Sequence, residues 1–329
     1  MRVLITGGAG YIGSHMVKLL LSADIEVVIL DDLSGGHRDA VVGGEFVMGD
    51  IADRALVERT LRLRRFDAIM HFASFIQVGE SVSDPSKYYR NNLAGTLSLL
   101  DTAVACEVKQ FVFSSSAAIF GEPKYTPIDE NHPTQPLSPY GYSKLAIERV
   151  LADYDRAYGL RSICLRYFNA AGADPDGERG ETHEPETHLI PLILQAASGR
   201  RSCVKIFGDD YPTPDGTCVR DYVHVVDLCE AHLLALEYLK RTQRSAAYNL
   251  GNSRGYSVTE VIGAAERIVG HRVPVERNER RPGDPAILVA DSARAKAELG
   301  WRPRFDDIET IVRHAWRWEQ KLARAKAAS

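Results

Sequence analysis

The sequence predicts an α/β fold in which a doubly wound parallel sheet is followed by a smaller domain of mixed α/β structure. Short aliphatic runs alternate with longer helical patterns from the first residue, which is typical of a parallel sheet covered by helices on both faces. A glycine-rich turn follows the first aliphatic run directly. After Asn169 the chain enters a loop rich in Gly, Pro and Asp, which indicates the start of a second domain.

Six short runs of aliphatic and β-branched residues are predicted to form buried strands of the first sheet. These runs are Val3–Thr6, Glu26–Leu30, Phe46–Met48, Ala68–Phe72, Phe111–Ser114 and Arg161–Leu165. Two helices are marked by an N-cap residue followed by proline at the first helical position. Asp84-Pro85 opens a helical stretch to about Ala105. Ser138-Pro139 opens another, which runs to about Tyr158.

The first domain is expected to cover residues 1–170 and the second to cover residues 171–329. The second domain is predicted to contain a strand at Val204–Phe207, a helix at Val225–Leu239 and a helix that begins with the capping box Ser257–Glu260. Tyr248–Leu250 is predicted to be a strand that returns to the first sheet. Part of about 219–251 would then belong to the first domain, and the boundary would be interleaved.

Composition excludes several classes of function. The 329 residues carry a formal net charge of −4 with a pI near 6.2, whereas binding to a phosphate backbone usually needs a basic face. We therefore expect no nucleic-acid partner. No apolar run reaches the ~18 residues that a membrane span needs, and the first strand begins too early to leave room for a signal peptide. A soluble, cytoplasmic protein with no membrane partner is expected.

The cysteines and histidines do not show a metal-binding pattern. The five cysteines form no CxxC pair and are expected to be buried, reduced thiols: Cys106, Cys164, Cys203, Cys218 and Cys229. His183 and His188 lie in a glutamate-rich loop that resembles a metal site, but we attribute them to the polarity of the loop. The sequence therefore predicts no metal ion.

A dinucleotide-binding turn is predicted between the first strand and the first helix. Residues 6–13 place glycines at Gly7, Gly10 and Gly13. In the Rossmann fingerprint the first glycine allows the tight turn, the second lets the backbone approach the pyrophosphate, and the third lets the helix pack on the strand. The diphosphate then lies at the positive end of the helix. The position of these glycines between strand and helix makes the match specific.

Two carboxylates indicate whether the chain binds NAD or NADP. Asp31 closes the second strand about 20 residues beyond the turn, where an acidic residue accepts hydrogen bonds from the adenosine ribose, and Asp32 follows it. Both would repel a 2′-phosphate, so the sequence favours NAD. Arg38 lies nearby and leaves NADP as the alternative.

A proton-transfer site is predicted at the start of the helix that Ser138 caps. Tyr140 and Lys144 are four residues apart and lie on one face of this helix, while Tyr142 points away. A free phenol has a pKa of ~10, and a nearby ammonium, a positive nicotinamide ring and the helix N-terminus would favour the phenolate. The serines 114–116 end the fifth strand at the carboxyl edge, where the Ser116 hydroxyl can relay a proton to Tyr140.

The order of glycine turn, serine and Tyr-x-x-x-Lys pair resembles the extended short-chain dehydrogenase/reductases. From Arg2 to about Trp301 the chain looks like the members of that family that epimerise UDP-hexoses at C4. Further stretches carry this resemblance: Gly49–Ile51, His71–Ala73, Val78–Ser81, Asn91-Asn92, Arg166–Asn169, Arg220–His224 and Arg281–Asp284. It implies reversible interconversion of UDP-galactose and UDP-glucose through a 4-keto intermediate, with tightly bound NAD.

The resemblance also implies which residues form the sites. Cofactor contacts are expected from Gly7, Gly10, Tyr11, Ile12, Gly13, Asp31, Asp32, Asp50, Ile51, Phe72, Ala73, Asn91, Ser114, Tyr140, Lys144 and Phe168. Contacts with the UDP-sugar are expected from Ser116, Tyr140, Asn169, His188, Leu189, Phe207, Arg220, Arg281, Asp284 and Leu288. A homodimer joined through the helices Lys87–Ala105 and Tyr140–Tyr158 is also implied.

The residues themselves support these substrate contacts to different degrees. Arg220 and Arg281 carry planar guanidinium groups that can form bidentate contacts with a diphosphate. Phe207 can stack on uracil, but it fits a core strand equally well. Leu288 occupies the position at which the family has a gate beside the C2 substituent. Ile76 stands where some members carry a lysine, so an additional contact with a cofactor phosphate is in doubt there.

Enzymes of this fold with other activities differ from this chain in the residues at the end of the fifth strand. Nucleotide-sugar dehydratases and decarboxylases of this fold place an Asp or Glu beside the serine or threonine, whereas this chain has Ala117 and Ala118 after Ser116. Epimerisation needs no such acid. A UDP-N-acetylhexosamine, UDP-pentose or UDP-uronate remains an alternative substrate. A non-catalytic NAD-binding sensor is the alternative from another class, although such proteins typically lack the catalytic pair.

Overall fold

The computed structural model describes residues 1–281 and 284–328, with side chains described to residue 325. Its strands are β1 (Arg2–Thr6), β2 (Glu26–Asp31), β3 (Glu45–Met48), β4 (Ala68–His71), β5 (Gln110–Ser116), β6 (Arg161–Tyr167), β7 (Asn169–Ala171), β8 (Val204–Phe207), β9 (Val219–His224), β10 (Ala246–Leu250), β11 (Gly255–Ser257), β12 (Val275–Asn278) and β13 (Ile287–Leu288).

The α-helices of the described residues cover both faces of the main sheet and one side of the smaller ones. They are α1 (Tyr11–Ser22), α2 (Arg54–Leu63), α3 (Val78–Ser83), α4 (Pro85–Tyr88), α5 (Thr96–Ala105), α6 (Pro139–Tyr158), α7 (Leu189–Ala197), α8 (Val225–Thr242), α9 (Val258–Val269), α10 (Ala293–Glu298) and α11 (Ile308–Ala328). A π-helical segment, Tyr89–Gly95, joins α4 to α5. None of the described helices is long and apolar enough to span a membrane.

A seven-stranded parallel sheet forms the centre of the structure, in the order β10-β6-β5-β4-β1-β2-β3. This confirms the predicted doubly wound fold. The chain moves outward in one direction from β1 to β3 and in the other from β4 to β10. The carboxyl ends of β1 and β4 therefore open a crevice of the kind in which such sheets bind ligands.

Alternate residues of the strands pack against helices on opposite faces of this sheet. Val3 and Ile5 point into a core that α1 and α8 complete. Leu4, between them, points into the core on the other face, which is completed by α2, α5 and α6. This alternation follows from the two-residue period of a strand. It explains why the strand sequences are apolar at nearly every position.

Smaller sheets lie beyond β6. In one of them, β9 pairs in parallel with β7 and β13 and antiparallel with β11, while β8 and β12 form a separate parallel pair. A third core connects these strands to α7, α9 and α11. The predicted strand at Tyr248 lies in β10 and pairs with β6 in the main sheet. The division of the chain into two domains at residue 170 stays a prediction.

The capping residues in the sequence predict the starts of two helices correctly, whereas two strand ends differ from the aliphatic runs. Pro139–Tyr158 is one helix whose N-cap Ser138 accepts a hydrogen bond from the Gly141 N–H at 3.2 Å. The predicted capping box at Ser257 and Glu260 is present at the start of α9. The aliphatic run marks β5 only to Ser114, and Ser115 and Ser116 continue to pair with β6, as expected for the serines that end this strand. β4, in contrast, ends at His71, one residue before its predicted end.

A buried ion pair ties α6 to the sheet beneath it. Glu148 accepts hydrogen bonds from Arg166 of β6, the shortest at 2.6 Å, and from the Ser115 hydroxyl of β5, also at 2.6 Å. The side chains of Arg166 and Glu148 are only 11% and 7% exposed. A charge this deeply buried is stable only with its partner, so the network fixes the position of α6 over the ends of β5 and β6.

We predict that Glu148→Ala destabilises the protein by about 3–5 kcal/mol, because Arg166 would remain buried without its partner. Urea unfolding followed by circular dichroism measures the change. Glu58→Ala is the matched control, because Glu58 forms an exposed helical ion pair with Arg62 and should contribute less than about 1 kcal/mol. Equal effects of the two substitutions would contradict a stabilising role for the buried pair.

Candidate functional site

A cavity of about 530 Å³ opens at the carboxyl edge of the main sheet. It is lined by the glycine turn, by the ends of β2, β4, β5 and β6, by the start of α6 and by the loop before α7. Most of the predicted cofactor and substrate residues meet here. They are Gly7, Gly10, Tyr11, Ile12, Gly13, Asp31, Asp32, Asp50, Ile51, Phe72, Ala73, Asn91, Ser114, Ser116, Tyr140, Lys144, Phe168, Asn169, His188, Arg220 and Leu288.

The glycine turn has no room for side chains. Gly7 has a φ of +75°, and a Cβ built on it would lie 2.5 Å from the backbone nitrogen of Ala73. A Cβ on Gly13 would lie 2.1 Å from the carbonyl oxygen of Gly7. Gly10 is the N-cap of α1 and supplies no side-chain acceptor, so the first-turn N–H groups are available to a ligand in the cavity. These features fit the diphosphate of a dinucleotide.

Asp31 brings a carboxylate to the same cavity. It accepts hydrogen bonds from the backbone N–H groups of Ala9 and Leu33, both at 2.8 Å. Burial raises the pKa of Asp31, although these two hydrogen bonds oppose the shift. Arg38, whose guanidinium stacks on Phe46 at 4.4 Å, is absent from the described lining of the cavity. The lining therefore favours free ribose hydroxyls over a 2′-phosphate.

Ser116, Tyr140 and Lys144 lie together at the cavity wall. Tyr140 and Lys144 are 8% and 3% exposed, whereas Tyr142 between them is 52% exposed, as its helical position predicts. The Lys144 ammonium donates a hydrogen bond to the carbonyl oxygen of Ser114 at 2.9 Å. Its nitrogen lies 5.7 Å from the centre of the Tyr140 ring. The three side chains are thus arranged for proton transfer at one point in the cavity.

Burial controls the protonation of this group in the protein alone. It raises the pKa of Tyr140, while a hydrogen bond with Ser116 opposes the rise. It also lowers the pKa of Lys144 to about 7. The sequence-based expectation that the Lys144 ammonium favours the phenolate is therefore not met in the protein alone. Loss of hydration outweighs the attraction, because both groups are enclosed by protein.

Four of the predicted substrate residues lie outside the lining of the cavity: Leu189, Phe207, Arg281 and Asp284. Three of them are engaged with neighbouring side chains. Arg220 forms an ion pair with Asp284, and the Arg281 guanidinium lies 4.0 Å from the centre of the Phe207 ring. Leu189 begins α7, directly after His188. Pro282 and Gly283 of the predicted Arg281–Asp284 stretch lie outside the described residues.

The cavity is also lined by residues that were not predicted from the sequence. They include Ser34, Gly36, Ser74, Gln77, Tyr88, Tyr167 and Glu181. Tyr167 shares a short hydrogen bond with the Ser114 hydroxyl. Tyr88 comes from α4 and contacts the Tyr140 ring edge to face, with ring centres 6.5 Å apart. A single sequence gives no signal for these contacts, because they join segments far apart along the chain.

The loop before α7 carries a cluster of carboxylates and imidazoles. His188 Nδ1 lies 2.7 Å from Glu181 and 2.8 Å from Glu186. Burial opposes the charged form of His188, but the two carboxylates prevail and raise its pKa well above the usual range. Burial would raise the pKa of Glu181, but His188 and His183 lower it to about 2.

Comparison with known proteins gives a family model and relatives that match most of the chain. The model of the NAD dependent epimerase/dehydratase family matches residues 3–251. A UDP-glucose 4-epimerase from Halalkalibacterium halodurans is 50% identical over 321 residues, covering 98% of this chain and 96% of the relative.

Two solved structures are similar over nearly the whole chain. The structure of UDP-glucose 4-epimerase from Brucella ovis in complex with NAD has a TM-score of 0.94 and 50% identity, covering 96% of this chain and 97% of that chain. The UDP-Glc/GlcNAc 4-epimerase from Campylobacter jejuni has a TM-score of 0.86 and 42% identity, covering 97% of this chain and 99% of that chain.

The position of Asp31 in the cavity predicts that Asp31→Ala weakens dinucleotide binding. Loss of hydrogen bonds to a charged acceptor costs about 1.5–3 kcal/mol, or roughly 10- to 150-fold in affinity. The purified proteins are denatured and the nucleotide released from each is quantified. Asp24→Ala, an exposed turn substitution, is the control. Full retention by Asp31→Ala, or release of NADP in place of NAD from the native protein, would contradict the assignment.

Proposed function

The chain belongs to the NAD dependent epimerase/dehydratase family, and from this premise we propose that it interconverts UDP-galactose and UDP-glucose by 4-epimerisation with tightly bound NAD. One observation carries the proposal: Ser116, Tyr140 and Lys144 share a cavity with the glycine turn. Beside Ser116 the chain has Ala117 and Ala118, so the strand end supplies no acid for expelling a hydroxyl group. Epimerisation needs no such acid, because the hydride returns to the carbon that it left.

Tyr140 acts as the base that removes the proton from the C4 hydroxyl. Its phenolate form accepts the proton directly or through Ser116, whose hydroxyl forms a hydrogen bond with it. Gly7, Gly10, Gly13 and Asp31 would hold NAD, which would supply the acceptor and donor for the C4 hydride and a positive charge near Tyr140. Tyr140 then returns the proton to the same oxygen of the 4-keto sugar. The same residue thus serves as base in one half of the reaction and as acid in the other.

Lys144 holds the site in position and supplies a cation. Its ammonium is anchored on the carbonyl oxygen of Ser114, next to the end of β5. With a pKa lowered to about 7 by burial, the side chain gains and loses its charge near neutral pH. An added negative charge on Tyr140 would favour the charged form of Lys144. Proton loss from Tyr140 and proton uptake by Lys144 thus stabilise each other.

The UDP group provides the fixed anchor for the substrate. Arg220 lines the cavity and is already desolvated, with its side chain 12% exposed beside Asp284. The Arg281 guanidinium is stacked on Phe207, and this pair can receive the diphosphate and the uracil. The hexose must be held more loosely, because its opposite face has to reach the nicotinamide after rotation. Tight contacts with the hexose would hinder inversion.

UDP-N-acetylhexosamines are a second candidate substrate class. Leu288 lines the cavity at the expected gate beside the C2 substituent, and its side chain is smaller than that of a tyrosine. The Campylobacter jejuni relative is named for activity on both UDP-Glc and UDP-GlcNAc. The leucine therefore favours entry of an N-acetyl group.

We also propose that the enzyme acts in the cytoplasm, in galactose metabolism, as a homodimer. The five cysteines are free thiols, which fits a reducing compartment. The helices Lys87–Ala105 and Tyr140–Tyr158 are proposed to form the dimer contact. Tyr89, Tyr142 and Tyr158 expose 39%, 52% and 55% of their surface on or beside these helices. Exposed aromatic side chains of this kind are common at interfaces.

We predict that Tyr140→Phe lowers the epimerisation rate by ~10²–10⁴-fold, because it removes the proton acceptor. The rate of UDP-glucose formation from UDP-galactose is measured with NAD confirmed to be bound. Tyr142→Phe changes an exposed tyrosine of the same helix and should cost little. A Tyr140→Phe rate within a few-fold of native would refute the assigned base.

Leu288→Tyr is predicted to lower activity on UDP-N-acetylglucosamine relative to UDP-glucose, because the larger ring fills the space beside C2. Both activities are measured in parallel for the native and variant proteins. Leu288→Met, which conserves volume, is the control. An unchanged ratio of the two activities in Leu288→Tyr would rule out the gating role.

A further inference from the structure

Four potential metal ligands converge in the loop that connects β7 to α7. Glu181, His183, Glu186 and His188 each place one ligand atom in a group whose members all lie within 4.8 Å of one another. From the sequence we attribute His183 and His188 to loop polarity, but the structure brings one potential ligand atom from each of the four residues into one group. We propose that they form a binding site for a divalent transition-metal ion, with zinc as the representative ion.

The donor atoms suit such an ion. Two imidazole nitrogens and two carboxylate oxygens are ligands that zinc accepts in four-coordinate sites. Ligands about 2.0–2.2 Å from a tetrahedral zinc ion lie roughly 3.3–3.6 Å from each other. The Nδ1 atom of His183 is 2.9 Å from Glu181, and that of His188 is 2.7 Å from Glu181. Displacements of less than about an ångström would thus create the coordination geometry.

Among the described side chains, the charged partners of the two carboxylates are the imidazoles of the cluster itself, and a metal ion would take the place of the imidazole protons. The side chains of Glu181 and Glu186 are 5% and 4% exposed. Within residues 1–281 and 284–328, neither carboxylate forms an ion pair with a lysine or an arginine. Buried carboxylates are costly unless they are paired or coordinate a metal. A dication bound between them would neutralise both.

Contacts outside the cluster hold the ligands in place. Glu186 accepts hydrogen bonds from the backbone N–H groups of Thr187 and His188, both at 2.8 Å. The indole of Trp318 donates to the carbonyl oxygen of Glu181 at 3.1 Å. Gly180 lies so close to Trp318 that a Cβ would come within 2.4 Å of the indole ring. Outer contacts of this kind orient metal ligands and support affinity.

The position of the cluster suggests what the ion does. Glu181, His183 and His188 line the cofactor cavity. The His183 ring lies 6.4 Å from the ring of Tyr11, which belongs to the glycine turn. An ion here would fasten the loop over the cavity. The ion is therefore a structural clamp that slows release of the dinucleotide, and its ligands take no part in proton transfer.

The direct test uses the full-length holoenzyme, stripped with a chelator and then dialysed against zinc. Native protein should retain about one zinc ion per chain by elemental mass spectrometry, and calorimetry gives the affinity. His183→Asn and Glu186→Gln each remove one ligand and should weaken zinc binding by at least about 10-fold. Circular dichroism confirms that both variants are folded.

Two matched controls separate this site from nonspecific binding. Glu184→Gln changes a carboxylate in the same loop outside the cluster, and His271→Asn removes an imidazole elsewhere on the surface; both should bind zinc like the native protein. Failure of native protein to retain zinc, or native affinity in both ligand variants, would overturn the proposal. The latter result would mean an adventitious ion only.

The proposed clamping role is tested separately, by the rate of NAD release. Zinc should slow NAD release from the native protein several-fold and leave the release rate of His183→Asn unchanged, as measured by NAD exchange. Equal release rates of the native protein with and without zinc would overturn the clamp. These measurements do not depend on turnover, so they can fail while the epimerase assay succeeds, and the reverse also holds.

Discussion

The buried contact between Glu148 and Arg166 is the constraint on which the rest of the site depends. Glu148 lies four residues after Lys144 and eight after Tyr140, so all three share one face of α6. By holding Arg166 and Ser115 together, Glu148 fixes the start of α6 over the ends of β5 and β6. Proton transfer requires hydrogen-bond distances between heavy atoms. A helix free to shift by one ångström would lose that geometry without any change in the catalytic side chains.

Burial of Tyr140 and Lys144 also explains why proton transfer depends on the bound ligands. In the protein alone, burial raises the pKa of Tyr140 and lowers the pKa of Lys144 to about 7, so the phenol is neutral and Lys144 is only partly charged near neutral pH. A cationic ring in the cavity would reverse this balance by favouring the phenolate, and the phenolate would in turn favour the ammonium. Coupling of this kind restricts proton transfer to the loaded cavity.

The sequence was sufficient for features that depend on local chemistry. The turn at Gly7–Gly13, the helix that begins at Pro139 and the pairing of Tyr140 with Lys144 follow from steric limits and helical period, and all appear in the structure. Contacts between distant segments were not predictable. The stacking of Arg281 on Phe207 has no signature in one sequence, and the glutamate-rich loop showed a metal-like composition but not the convergence of its side chains. These contacts depend on how the loops cross the sheet edge, which tertiary packing decides.

The central claim is that one cavity removes a hydride from C4 and returns it to the same carbon. The most direct measurement follows the label of UDP-galactose carrying deuterium at C4 through conversion in ordinary water, by mass spectrometry and NMR of the product. The account predicts UDP-glucose that retains the deuterium at C4. Exchange of the label with solvent hydrogen, or its appearance at another carbon, would contradict the account.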